Sequence, residues 1–351
     1  MELVGSLPVP NVQALAASSN GGHVPPRYVR PDVSADPVSS NGGDAIPVID
    51  FSRLMDPQFS LTESQLLAQA CEEWGFFQLI NHSVSTELIE RMKSGIEGFF
   101  KLPLETKRKF AQQPGQFEGY GQLFVVSEEQ KLDWADVLYL NTLPIESRDL
   151  RFWPDLSPGF RDTLDKYSLE LNQIVHSLLA IIAKNLGLKP EAITEKCKDG
   201  VQSVRINYYP PCLQHNEVIG FSPHSDGDLL TMVLQVNDVQ GLQIKKNGIW
   251  VPVTPLEGAF VVNLGDRFQI FTNGKYKSIE HRAVINPEKE RLSIAAFHSP
   301  SLHALIGPLT ELVESGDEIY KTVDHENYMR LFFSSKLEGK KFLDQMRLHP
   351  S

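Results

Sequence analysis

Ten histidines are spread along the 351 residues, and two of them stand where a metal could be held. His224 and Asp226 are two apart in the extended run Gly220-Phe221-Ser222-Pro223-His224-Ser225-Asp226. Residues two apart on a strand leave from the same face, so this pair can fill adjacent corners of a coordination polyhedron. His281 lies far downstream, inside the strand-like run Lys277–Arg282. Two imidazoles and one carboxylate on one side of a metal leave its other side open, which is the donor set of non-haem Fe(II) oxygenation. The same donors can hold zinc for hydrolysis, and Asp228 shares the parity of Asp226. The remaining histidines (His23, His82, His176, His215, His298, His303, His325 and His349) show no comparable spacing and read as hydrogen-bonded core or surface imidazoles.

A second pattern points to an anion. Arg291 and Ser293 share one face of the run Arg291–Phe297. A guanidinium grips a carboxylate at two points, and a hydroxyl adds a third donor. Zinc hydrolysis has no need of such a pair. Arg205, Asn207 and Tyr209 share one face of Ser203–Tyr209, with Val204, Ile206 and Tyr208 on the other. Taken alone, that polar row is the solvent face of a strand; combined with the metal pattern, it becomes the lining of a pocket. Tyr120, Phe124, Tyr139, Phe221 and Phe297 suggest a medium-sized, largely apolar or aromatic ligand. Phe297 has the parity of Arg291 and Ser293, whereas core packing serves Tyr120 and Phe221 at least as well.

The elements that must position these residues follow from periodicity. After Gly200, period-two runs occur at Ser203–Tyr209, Leu229–Val236, Gly241–Lys245, Ile249–Val253, Ala259–Asn263, Phe268–Phe271, Lys277–Val284 and Arg291–Phe297. Asn247-Gly248 and Asn273-Gly274 mark tight turns. Short antiparallel runs at this density predict a jelly roll or a sandwich rather than a parallel sheet, with the preceding helices packed outside the β core. Upstream, Ile46–Phe51 and Phe76–Ile80 read as strands. Ser60 and Glu63 have capping-box spacing ahead of a helix carrying Leu66, Leu67, Ala70, Cys71 and Trp74, which Gly75 can stop. A second helix carries Leu88, Ile89, Met92, Ile96, Phe99 and Phe100. A long helix starts at Ser157-Pro158, holds Phe160, Leu164, Tyr167, Leu171, Ile174, Leu178 and Ile182 on one face, and ends at Gly187. Residues 1–45 read as an irregular lead-in, with Ser, Asn, Gly and Pro clustered at Ala17–Pro26 and Ser34–Gly43 and a short docking helix around Val12, Leu15 and Ala16. The expected organisation is this lead-in, a helix-rich region over 46–199, the metal-bearing core over 200–300 and an extension over 301–351.

Composition narrows the classes. Apolar residues make up 41% and charged residues 22%, ordinary globular usage that supplies a sizeable core. The 33 basic and 44 acidic residues leave a net charge of −11, which is poorly suited to nucleic acid or an anionic membrane surface. Cys71, Cys197 and Cys212 are too few for a disulfide framework or a zinc ribbon. No secretory pattern or bilayer-length apolar run is present. A cytoplasmic setting is expected, with a small-molecule partner. The oligomeric state is left open, and a monomer meets every constraint.

The ordered set Ile46–Phe51, Trp74-Gly75-Phe76-Phe77-Gln78, Asn81-His82, Asn207-Tyr208-Tyr209-Pro210-Pro211-Cys212, His224-Ser225-Asp226, His281-Arg282 and Arg291-Leu292-Ser293 resembles the plant 2-oxoglutarate- and Fe(II)-dependent dioxygenases. The Glu118–Asp136 stretch is similar to the senescence-related-gene-1-like clade of alkaloid O-demethylases, a lateral branching oxidoreductase and a norcoclaurine-synthase-like protein. The resemblance implies a mixed, mainly β fold, a double-stranded β-helix (jelly roll) flanked by N-terminal and C-terminal helices, with Fe(II) held by His224, Asp226 and His281. It implies 2-oxoglutarate bound by Arg291 and Ser293 with Tyr209 and Asn207 nearby, O2 as oxidant and ascorbate as reductant. By similarity to flavonoid-oxidising relatives, the substrate wall includes Val137, Tyr139, Arg205 and Phe297. The implied reaction is hydroxylation, O-demethylation or desaturation of a plant specialised metabolite or hormone-like molecule, with metal-dependent condensation or ligand binding without turnover as alternatives. Ser83, Ser222 and Arg267 depart from the family's usual residues.

Overall fold

The computed structural model describes residues 6–18, 24–34, 36–39, 46–155, 159–313, 316–334 and 340–348. Ser157-Pro158 and parts of the Ala17–Pro26 and Ser34–Gly43 clusters lie outside them. Two sheets are built from β1 (Val48–Asp50), β2 (Phe76–Ile80), β3 (Gly119–Gly121), β4 (Asp136–Leu143), β5 (Gln202–Tyr209), β6 (Phe221–His224), β7 (Leu230–Gln235), β8 (Leu242–Lys246), β9 (Ile249–Pro252), β10 (Phe260–Leu264), β11 (His281–Ala283) and β12 (Arg291–His298). The larger runs β1-β2-β10-β7-β12-β5-β4-β3 and the smaller β6-β11-β8-β9. Neighbours are antiparallel except β1 and β2. This is the expected jelly-roll core.

Alternation divides the large sheet into two environments. On β5, Val204, Ile206 and Tyr208 join the main apolar core, while Arg205, Asn207 and Tyr209 line a cavity that residues of both sheets share. The apolar face is covered by helices. Here α1 is Val12–Ser18, α2 Ser60–Glu73, α3 Thr86–Lys101, α4 Phe160–Asn185, α5 Asp266–Phe271, α6 His325–Ser334 and α7 Lys341–Gln345. Along α4, Leu164, Tyr167, Leu171, Ile174, Leu178 and Ile182 are buried at helical spacing. Burying each such aliphatic side chain contributes about 1.5–3 kcal/mol. Gly187 ends α4 at φ +79°, and Gly187 and Leu188 donate to Lys184 and Ala183, a Schellman closure.

Several expectations change. Phe268–Phe271 is helix, not strand. The first-turn N–H groups of α5 find acceptors on the loop after β6: Asp266 N donates to Asp226 O at 2.7 Å and Arg267 N to Asp228 O at 3.3 Å. All six residues of α5 are buried, so no polar face marked the period. Within Lys277–Val284 only His281–Ala283 is strand, and Ile46–Phe51 is β1 followed by a helical turn capped by Asp50. Ser60 sits inside α2 rather than capping it, and the Glu63 carboxylate accepts instead from Asp50 N at 2.8 Å and Arg53 Nε at 3.1 Å. The described lead-in is packed down. Asp136 accepts from Val12 N and Gln13 N at 3.0 and 2.8 Å, and Tyr28 meets Trp134 edge-on at 5.3 Å. The three cysteines are buried and unpaired. Among the described residues no helix is long and apolar enough to cross a membrane.

Gly75 links this frame to the site. It has φ +60°, and a Cβ there would sit 2.2 Å from the Lys277 carbonyl on the segment leading to His281. Left-handed strain and overpacking together put the Gly75→Ala penalty at about 2–5 kcal/mol. Urea unfolding should show a clearly lowered midpoint, and an unchanged midpoint would remove this packing argument.

Candidate active site

Strand register brings the two histidines together. His281 on β11 is paired directly with His224 on β6, and their ring centroids are 4.2 Å apart. Asp226 follows two residues after His224, its Oδ1 lying 3.5 Å from His224 Nε2 and 3.6 Å from His281 Nε2. The three donor atoms lie within 4.8 Å of one another and all three residues are buried. Phe221 packs on the His224 ring and Phe76 meets His281 edge-on, fixing both planes.

The surrounding hydrogen bonds settle which atoms are available. His224 Nδ1 is 2.8 Å from the Ser222 carbonyl and His281 Nδ1 3.1 Å from the Ile279 carbonyl. A carbonyl only accepts, so both Nδ1 atoms carry a proton and both Nε2 atoms, the ring nitrogens that metal ligation would use, turn toward Asp226 Oδ1. Asp226 Oδ2 accepts from Thr231 Oγ1 at 2.6 Å and Asn263 Nδ2 at 2.7 Å, which leaves Oδ1 facing the imidazoles. Burial alone would raise the Asp226 pKa, but the two histidines and the Asn263 donor overcome it and hold the carboxyl well below its usual range. Burial, reinforced by His224, lowers His281 to about 4. An ionised carboxylate beside a neutral imidazole is the protonation state a divalent cation needs. The donor set therefore fits Fe(II) and leaves coordination positions for other ligands.

The anion pattern assembles on the facing strands. Arg291 pairs with Tyr209 and Ser293 with Asn207 across β12 and β5. Arg291 Nη1 lies 3.4 Å from Ser293 Oγ, its Cζ is 5.2 Å from the Tyr209 ring centre, and its Nε has no partner. The guanidinium is buried, and burial lowers its pKa. No carboxylate of the described residues pairs with it. Gly241 leaves room for it, since a Cβ there would sit 2.7 Å from Arg291 Cδ. A buried cation that no described carboxylate neutralises is costly, and an anionic ligand would offset that cost. Arg291, Ser293, Asn207, Tyr209 and the three metal-donor residues line one small cavity of about 50 Å³.

A second cavity of about 220 Å³ opens beside His224 and Asp226. Phe297, Tyr139, Arg205 and Phe124 line it as expected. Arg205 lies 3.7 Å from the Phe221 ring centre and donates to Asn207 Oδ1 at 2.7 Å. Tyr120 does not line it. Its neighbour across the strands, Leu138, faces the helices, and alternation sends Tyr120 the same way, edge-on to Phe99 at 5.5 Å. Val137 shares the strand face of Tyr139 but sits opposite Asn207, buried and lining neither cavity. Sequence reasoning missed Phe117, Leu123 and Asn141 and the contribution of α6, whose His325, Met329 and Phe332 complete the wall. The signal was there: Tyr328, Met329 and Phe332 recur at helical spacing. Ser222, one of the unusual residues, donates to Asp133, while its carbonyl holds His224.

Comparison with known proteins identifies the family. The family model described as non-haem dioxygenase in morphine synthesis N-terminal matches residues 46–156, and that of the 2OG-Fe(II) oxygenase superfamily matches residues 200–300. The chain is 48% identical over 349 residues to 2-oxoglutarate-dependent dioxygenase 11 of Oryza sativa subsp. japonica, covering 98% of each. It is 50% identical to S-norcoclaurine synthase 1 of Coptis japonica, covering 98% of this chain and 97% of that one. The crystal structure of JOX2 in complex with 2OG, Fe and JA superposes with a TM-score of 0.88 at 35% identity, covering 98% of this chain and 99% of that one. The chain belongs to the 2OG-Fe(II) oxygenase superfamily and is an oxidoreductase of its plant dioxygenase branch.

Proposed function

We propose that His224, Asp226 and His281 hold one Fe(II), that Arg291 and Ser293 grip the distal carboxylate of 2-oxoglutarate beside Tyr209 and Asn207, and that the substrate lies in the larger cavity. The observation that carries this reading is convergence: two imidazole Nε2 atoms, the Asp226 Oδ1 they face and a guanidinium that no carboxylate of the described residues pairs with line the same small cavity. Condensation or hydrolysis has no use for the anion grip, so the Arg291 pocket favours oxidation over both. The same proposal assigns a helix-rich region to 46–199, the metal-bearing core to 200–300 and a cavity-closing extension to 301–351. It places the enzyme in the cytoplasm with ascorbate as reductant.

When bound, iron and 2-oxoglutarate supply oxidative decarboxylation of the cosubstrate by O2 and the oxidising power to remove a substrate hydrogen. The chain supplies position and exclusion. The Ser222 and Ile279 carbonyls hold the two Nδ1 protons, so the imidazoles cannot turn away. Thr231 and Asn263 fix the carboxylate. Arg291 sets the cosubstrate's far end, and the buried strands beneath keep water from it. The larger cavity's wall is mostly aromatic and aliphatic, through Phe117, Leu123, Phe124, Tyr139, Phe297 and Phe332, with the Arg205 guanidinium near the His224 end. That lining suits a medium-sized aromatic or terpenoid-like metabolite with an oxygen function. Hydroxylation, O-demethylation or desaturation is the expected outcome.

In Arg291→Lys, loss of the planar grip should weaken 2-oxoglutarate binding about ten- to hundredfold while Mn(II) affinity stays close to wild type. Calorimetric titration checks this, and unchanged cosubstrate affinity would remove Arg291 from the site. The Fe(II)- and 2-oxoglutarate-loaded enzyme, given a plant metabolite extract and air, should convert a compound by gain of one oxygen, loss of one CH2 as formaldehyde, or loss of two hydrogens. His224→Ala should fold, as judged by circular dichroism, and give none of these mass changes. Full conversion by that variant, with its metal content verified, would refute the ligand assignment.

A further inference from the structure

Arg267 is more than a departure from a family pattern. It is fully buried on α5 and reaches two elements that chain order keeps far apart. Toward the core, its Nη1 donates to Asp228 Oδ1 at 3.1 Å and to Ser299 Oγ at 2.8 Å, and Ser299 Oγ also bonds Asp228 Oδ1. Toward the C-terminus, Nη2 meets the Met329 sulfur, and the guanidinium carbon lies 4.3 Å from the Tyr328 ring centre. Tyr328 and Met329 belong to α6, and Asp228 belongs to the loop that carries Asp226.

That loop and α6 also touch directly. Tyr328 Oη donates to the Gly227 carbonyl at 2.8 Å. A Cβ on Gly227 would sit 2.4 Å from the Phe332 ring, which would have to move to admit it. On its other side the loop accepts the first-turn N–H groups of α5, and a Cβ on Gly265 would strike the Asp228 carbonyl at 2.0 Å. The segment Asp226-Gly227-Asp228 is therefore held between α5 and α6, with the Arg267 guanidinium as the charged cross-link. Met329 and Phe332 face the larger cavity from this same helix.

We propose that Arg267 is a positioning residue that couples the metal-bearing loop to α6, so that loading the metal site orders the C-terminal wall of the substrate cavity. The proposal rests on the metal reading given above and adds to it a residue that touches neither metal nor cosubstrate. Loading the metal fixes the Asp226 carboxylate. Asp228 is two residues after Asp226 in the loop and its carboxylate is paired with Arg267, so restraint at Asp226 is carried to Asp228, to the guanidinium and to Tyr328 and Met329. Without the guanidinium, α6 keeps its Tyr328 and Phe332 contacts but loses the charged link to the loop.

Hydrogen exchange by mass spectrometry on the full chain tests this, with Mn(II) and 2-oxoglutarate as probes under conditions where no turnover is needed. In wild type, adding both should slow exchange in peptides covering 224–235, 281–293 and 325–332. The test variant is Arg267→Leu/Asp228→Asn, which removes the link without leaving a buried charge unpaired. It should respond as wild type over 224–235 and 281–293, yet show no added protection over 325–332, where its exchange should run more than about tenfold faster than in the loaded wild type. Arg267→Lys, which keeps the charge but not the fork, should recover part of the α6 response. If the double variant protects 325–332 as fully as wild type does, the coupling is refuted. A wild type that protects 224–235 and 281–293 but not 325–332 refutes it equally while leaving the metal reading intact. If none of the three regions responds in wild type, the metal reading itself falls and takes the coupling with it.

Discussion

The pairing of His281 with His224 across β11 and β6 is the constraint on which the site depends. Two imidazoles distant in the chain are brought to a ring separation of 4.2 Å by backbone register alone. A slip of one residue would turn every side chain of β11 to the opposite face and leave Asp226 with a single imidazole. The neighbourhood defends that register. β8 pairs on the far side of β11 with Ile244 opposite His281, Phe76 sits against the His281 ring, and Gly75 admits the Lys277 carbonyl where any side chain would push it away. The convergence of His224, Asp226 and His281 is thus a consequence of sheet packing.

The same alternation explains how a polar site can exist inside a packed core. β5 and β12 are buried on both faces, yet only one face is apolar. Val204, Ile206, Ile294 and Ala296 pack against α3, α4 and the strands beneath them. Arg205, Asn207, Arg291 and Ser293 turn inward, where Nη, amide and hydroxyl groups satisfy one another only in part. Arg291 keeps an Nε without any partner. Incomplete satisfaction of buried polar groups is destabilising in a finished core, but a binding site uses it, because the ligand completes the network. The apolar face, with α4 along it, supplies the stability that tolerates the polar one.

Much of this was legible in the sequence, for identifiable reasons. The convergence of His224, Asp226 and His281 and the shared face of Arg291 and Ser293 are readable because period two fixes which residues share a face. Tyr139, Arg205 and Phe297 followed from the same parity and from resemblance. Tyr120 was misplaced because aromatic type says nothing about face: between two glycines it had no neighbours to set its parity, and pairing with Leu138 sent it to the helices. Phe268–Phe271 was taken for a strand because a run buried on all sides carries no period. The helical spacing of His325, Met329 and Phe332 marks α6 in the sequence, but that this helix closes the cavity depends on tertiary docking. Arg267 looked like an anomaly in a local pattern, and its partners Asp228, Ser299 and Met329 could be identified only in three dimensions.

The most direct test of the account is a crystal of this protein grown without oxygen and loaded with Fe(II) and 2-oxoglutarate, with diffraction recorded on both sides of the iron absorption edge. The account predicts one anomalous peak among His224 Nε2, His281 Nε2 and Asp226 Oδ1, with one carboxylate of the cosubstrate against Arg291 and Ser293. An iron peak bonded to fewer than these three residues, or a cosubstrate carboxylate bound away from Arg291, would contradict it.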